Sequence, residues 1–132
     1  MVHEQVTPEG WPRPKGYANA VLASGRTLLI SGQIGWTAEQ KMVSDDFVAQ
    51  VRQALRNVVL CLKAAGAGPE HLARLTWYVT DREAYVASPK EIGEAYRDEI
   101  GRFFPAMSVV QVVALVEPDA KVEIEATAVL PD

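Results

Sequence analysis

The chain has a single cysteine, Cys61, and two histidines, His3 and His71, among its 132 residues. A lone cysteine leaves no partner for an internal disulfide, which fits a reducing compartment, and its place in an apolar-periodic segment makes it a core residue. His71 has no cysteine or second histidine at ligand spacing, and His3 falls in a terminal segment expected to be mobile, so no metal centre is expected. Cationic charge is scarce too. Thirteen Lys and Arg against 17 Asp and Glu leave a net charge of -4, with an isoelectric point near 5.2. A surface that tracks nucleic-acid phosphates needs clustered Lys and Arg, so nucleic acid is not expected as the main partner. No apolar run approaches a membrane span, and "MVHEQVTPEGW" has neither the basic start nor the apolar stretch of a signal peptide. The expectation is a cytoplasmic protein. The sequence also lacks a G-x-S-x-G elbow and a Walker-type phosphate loop, and the glycines of "SGQIG" do not make the G-x-G-x-x-G pattern that precedes a helix. Serine-hydrolase and nucleotide-binding readings lose their support.

What is present is a chain 48% hydrophobic, long enough for a real core and too short to divide comfortably, so residues 1–132 read as one domain. The two prolines and glycine of "WPRPKGY" predict an irregular, stiffened loop. "ANAVLA" and "TLLISGQIGW" flank the turn "SGR" and predict a β-hairpin. Over 45–65, Phe47, Val51, Ala54, Leu55, Val58 and Leu62 recur at helical spacing, with Ser44 as the expected cap and Gly66 as the stop. "HLARLTWYVTD" alternates as a strand, placing Leu75, Trp77 and Val79 on one side and Thr76, Tyr78 and Thr80 on the other. A second helix is expected from Pro89, opened by a capping box from Ser88 to Glu91 and ended at Gly101. Two strands, about 107–116 and 121–130, complete the chain.

This order predicts an α+β domain whose sheet carries two helices on one face only. In "KVEIEATAVL", Val122, Ile124, Ala126 and Ala128 point one way, while Lys121, Glu123, Glu125 and Thr127 point the other. The neighbouring "SVVQVVALV" is apolar on both sides apart from Gln111, which suits a sheet face covered by something. With no third helix expected, the predicted cover is another copy of the chain, in closed rotational symmetry.

Six segments carry a resemblance: "KGYANAV" at 15–21, "ISGQIG" at 30–35, "QVRQALRNV" at 50–58, "AGAGPEHLARLTWYVTD" at 65–81, "FPAMS" at 104–108 and "VEIEATAV" at 122–129. In this order, and over nearly the whole chain, they resemble the RidA (YjgF) family of imine and enamine deaminases. The resemblance implies a chorismate-mutase-like α+β fold and a homotrimer whose sheets form an inner barrel. It implies a ligand cleft at each subunit interface and cofactor-free hydrolysis of an imine or enamine carboxylate to a ketone and ammonia. The matching site positions are Tyr17 and Glu123 as catalytic residues, and Ser31, Gly32, Met107 and Ser108 as substrate-binding ones. At position 107 the active deaminases carry an arginine that grips the substrate carboxylate. A bidentate arginine pair is stronger than a neutral hydrogen bond by about twofold, whereas a thioether offers dispersion alone. Gly93 is a second departure, since some relatives place asparagine there.

Each position also has a structural account. Glu123 could be one of two solvated carboxylates on a polar strand face, the account kept for Glu125; the resemblance instead gives Glu123 the work of orienting water and moving protons. Tyr17 could pack against the hairpin, Ser31 and Gly32 could end a strand, and Met107 could fill a subunit interface. Trp36 and Trp77 read as packing residues, and His71 as a surface residue with no role. The favoured function is a deaminase for an enamine or imine larger than the simple amino-acid-derived ones, such as the ring-opening product 2-aminomuconate, with a distal carboxylate met by Lys15, Arg13 or Arg102. The alternatives are a non-catalytic binding or regulatory trimer and, weakest, a ribonuclease.

Overall fold

The computed structural model describes residues 2–132. Ten elements follow in order: β1 (Glu4–Val6), β2 (Ala20–Leu22), β3 (Arg26–Ile34), α1 (Phe47–Ala64), a 3-10 turn (Pro69–His71), β4 (Leu72–Val79), α2 (Arg82–Val86), α3 (Pro89–Glu99), β5 (Ala106–Gln111) and β6 (Val122–Leu130). The main sheet runs β3-β6-β4-β5. It is mixed: β6 is antiparallel to both β3 and β4, and β5 is parallel to β4. This is the α+β, chorismate-mutase-like architecture that the resemblance implies.

The expected alternation decides how the sheet lies. Along β6, Val122, Ile124, Ala126, Ala128 and Leu130 are buried while the residues between them are half-buried. Leu75, Trp77 and Val79 do the same on β4. These side chains meet Val51, Ala54, Leu55, Val58 and Leu62 of α1 and Ile92 and Tyr96 of α3 in one core. Burying such side chains contributes about 1.5–3 kcal/mol each, so the face toward the helices is fixed by the sequence pattern. The opposite face has no helix on it, and Leu29 stands 77% exposed there.

Several expectations are corrected. The hairpin does not form: β2 pairs with β1 through Gln5↔Val21, and β3 pairs with β6 instead. Gly25 explains the departure, because a Cβ there would lie 1.9 Å from the Leu130 carbonyl oxygen. Its bare Cα lets the turn press onto the end of β6 and send β3 along that strand. The terminal segment is held rather than loose, with His3 Nε2 donating to the His71 carbonyl oxygen at 2.8 Å. Asp46, not Ser44, caps α1 by accepting from the Ala49 amide at 2.9 Å, while Ser44 Oγ accepts from the Asp46 amide. Ser88 precedes α3 with no side-chain cap, so the capping box is not made, although Pro89 does open the helix. Among the described residues there are three α-helices rather than two, the short α2 being capped by Asp81. The strand expected to reach 116 ends at Gln111, and Val113 and Val116 beyond it are fully exposed.

Candidate functional site

The predicted site residues fall into two groups, one on each face of the sheet. Tyr17 and Met107 form the first. The leading loop lies alongside β5, where the Ala18 amide donates to the Pro105 carbonyl at 3.0 Å and Ala18 bridges Ala106. That contact sets Tyr17 beside Met107, which pairs with Leu75 of β4 and so points toward the helices. Both line a cavity of about 540 Å³ bounded by the leading loop, α2, α3 and the β4–β5 edge, within the ~300–1,000 Å³ range of small-molecule sites.

Rings make much of its wall. Trp77 and Tyr85 meet edge to face at 6.0 Å, and Tyr96 stacks on Phe104 at 5.5 Å. Burial pushes the Tyr85 and Tyr96 hydroxyls up from the ordinary phenol range, so both rings are neutral at physiological pH. Tyr96 is anchored by donating to the Phe103 carbonyl oxygen. Trp77 is therefore packing residue and cavity wall together. Charge in the lining comes from Lys15 and Arg97, with no carboxylate among the lining residues.

Ser31, Gly32, Ser108 and Glu123 form the second group. Between Ile30 and Gln33 the β3–β6 register shifts, placing Ser31 and Gly32 in an irregularity opposite β6. A Cβ at position 32 would lie 2.1 Å from Glu123 Oε2 and 2.7 Å from its Cγ. Glycine there leaves the space that the Glu123 side chain occupies in this conformation. Glu123 is half-buried on the helix-free face. Its neighbour Glu125 has a structural partner, accepting from the Tyr78 hydroxyl at 2.6 Å, which in turn holds the Tyr78 phenol above its ordinary pKa. Ser108 is exposed on the same face and pairs across β4 with Thr76, itself opposite Glu125.

Within one chain, then, the carboxylate and the cavity are separated by the sheet. Of the three cations named for a distal carboxylate, Lys15 lines the cavity and Arg13 and Arg102 do not. The residue missed from sequence is Arg97, four positions after Gly93 on α3. His71 proves to be a structural acceptor, its Nδ1 taking the Gly68 amide at 3.1 Å. Among the described residues, no three His, Cys, Asp or Glu side chains converge as a metal-binding group.

The family model described as Endoribonuclease L-PSP matches residues 12–130. The chain belongs to the RidA (YjgF) family. A 2-iminobutanoate/2-iminopropanoate deaminase of Salmonella typhimurium is 37% identical over 105 residues, 80% of each protein. A RutC family protein of Aquifex aeolicus is 37% identical over 134 residues, covering 97% of this chain and 99% of its own. Among solved structures, a Rid-family protein of unknown function from Yersinia pestis superposes with a TM-score of 0.81 at 37% identity, across 98% of this chain and all of that one. Among the described residues of this RidA-family chain, no helix is long and apolar enough to cross a membrane.

Proposed function

We propose that this protein is a cofactor-independent deaminase of an imine or enamine carboxylate, acting as a cytoplasmic, single-domain homotrimer. The observation that carries the reading is the Glu123 carboxylate lying in the space that any side chain at position 32 would fill. That proximity supports a role for Glu123 as the acid-base group, working beside the Ser31 and Gly32 backbone, which would offer donors to a carbonyl or carboxylate. The division of the site supports the trimer. The helix-free faces of three copies, packed around a barrel, bring Glu123 of one chain toward the Tyr17 and Met107 cavity of the next, and that cleft is the reaction chamber.

In it an enamine first takes a proton on carbon to become the iminium ion, which is equally the protonated form of an imine substrate. Water then adds to the C=N carbon, giving one proton to Glu123 and leaving a neutral carbinolamine. Glu123 returns that proton to nitrogen, the C–N bond breaks as the carbinolamine hydroxyl gives its own proton back to Glu123, and ketone and ammonia leave. Tyr17 orients the water or the substrate. Met107 makes no ionic grip, so the substrate is larger than 2-iminobutanoate, of the kind represented by 2-aminomuconate. The absence of that grip also favours a second reading, a binding trimer without turnover.

Purified protein supplied with freshly generated 2-aminomuconate or 2-iminobutanoate tests both. Ammonia release should accelerate, more for the larger acid, and Glu123→Gln should reduce it by about 10²–10⁴-fold, the usual span for a lost acid-base group. Equal rates with and without wild-type protein would leave the binding trimer.

A further inference from the structure

Arg97 has a geometry that its position on α3 alone does not require. It follows Gly93 by one helical turn, the spacing at which side chains on a helix meet. A Cβ at Gly93 would lie 3.6 Å from a terminal nitrogen of Arg97. The guanidinium is folded back over the bare glycine, and both residues line the cavity. Arg52, Arg56 and Arg82 are each held on a carboxylate at 2.8–3.0 Å. Arg97 has no ion-pair or hydrogen-bond partner among the described residues, although acidic side chains outnumber basic ones in the chain.

A guanidinium offers a rigid fork of donors matched to a carboxylate. Here it stands at a wall of neutral rings and Met107, next to Lys15, with no carboxylate of its own chain in the lining. We propose that the cavity binds an organic acid with a flat, unsaturated or aromatic body, its carboxylate gripped by Arg97 from α3 instead of by residue 107 of β5. Trp77, Tyr85, Phe104 and Met107 take the apolar body, and Lys15 adds a second, point-like positive charge. The proposal deepens the deaminase reading by naming its specificity residue, and it rests on that reading only for the fate of the ligand. Moving the anchor from a strand to a helix moves the carboxylate, so a longer conjugated acid is needed to span from Arg97 to the reacting centre.

Isothermal titration of the full-length protein with benzoate, and with benzamide as its uncharged isostere, separates the two proposals. Wild type should bind benzoate more tightly than benzamide. Arg97→Gln should weaken benzoate at least about tenfold, the loss of one charge-assisted hydrogen bond, and leave benzamide unchanged. Because Arg97 is exposed at the helix surface, the substitution should leave the far-ultraviolet circular dichroism intact. Glu123→Gln should not weaken benzoate, since it removes a negative charge near the anion, while it cuts imine hydrolysis by about 10²–10⁴-fold. No saturable benzoate binding, or an unchanged affinity in Arg97→Gln, overturns the proposal. The expected binding pattern in a protein without turnover refutes the deaminase reading and leaves the anion site standing.

Discussion

Glu123 and Gly32 form a pair that neither residue explains alone. The backbone of β3 comes so close to the carboxylate that a methyl group at position 32 overlaps Oε2, Cδ and Cγ, at 2.1, 2.5 and 2.7 Å. The clash is with a side chain that has room to turn aside, so Gly32→Ala should fold, with a melting temperature close to wild type. Hydrolysis in that variant should fall on the order of a hundredfold, because the displaced carboxylate no longer meets the water it serves. Paired assays of melting and ammonia release check this: equal activity would mean that Glu123 does not act from its position over Gly32. Glu123 was legible in the sequence through the "VEIE" segment, but its contact with Gly32 was not, since the two meet across a register shift that no periodicity encodes. Arg97 was illegible for a related reason. An arginine on a polar helix face reads as solvated until the emptiness of position 93 and the missing partner are both seen.

At the scale of elements, α1 does more than cover the sheet. Gln50 is fully buried on it. Its amide nitrogen donates to the carbonyls of Ser44 and Asp119 at 2.9 and 3.1 Å, and its oxygen accepts from the Lys121 amide at 2.8 Å. One side chain thus ties the segment entering α1 to the segment entering β6, the strand that carries Glu123. Gly35 packs against Gln50 as well, where a Cβ would come within 2.7 Å of its Cα. Gln50→Ala removes all three bonds and strands buried polar groups, so it should cost about 3 kcal/mol, read as a lower urea midpoint. A change below about half a kcal/mol would mean that water replaces the amide fully. The helix itself was readable from its 3.6-residue period, yet Gln50 looked like one more polar residue on it. Pairing was the other illegible feature. "ANAVLA" and "TLLISGQIGW" are adjacent in sequence and carry a turn between them, but β3 gains more by lying on β6, where Ile30 and Ile34 reach the core.

For the whole molecule, the helix-free face is the decisive surface. Leu29 at 77% exposure and Val110 at 44% share it with Thr76, Tyr78, Glu123 and Glu125. A mixed face of this kind suits association between copies, with apolar contacts at some points and half-buried carboxylates at others. In the proposed trimer Leu29→Arg puts three like charges together at the barrel, and it should convert that assembly to monomers in sedimentation velocity. The monomers should keep the fold, since Leu29 lies outside the core, and should lose ammonia release. A trimer that persists with full activity would place the interface elsewhere. By itself the sequence determined the α+β class, the long helix, the two-sided character of β4 and β6, and the family. All of these rest on local periodicity or on short segments. Only the tertiary structure decided which strands pair, that Gly32 exists to admit Glu123, that the cavity and the carboxylate lie on opposite faces of one chain, and that an unpaired arginine lies over Gly93. Each of those depends on atoms far apart in sequence meeting within a few ångströms, and no local pattern carries that distance.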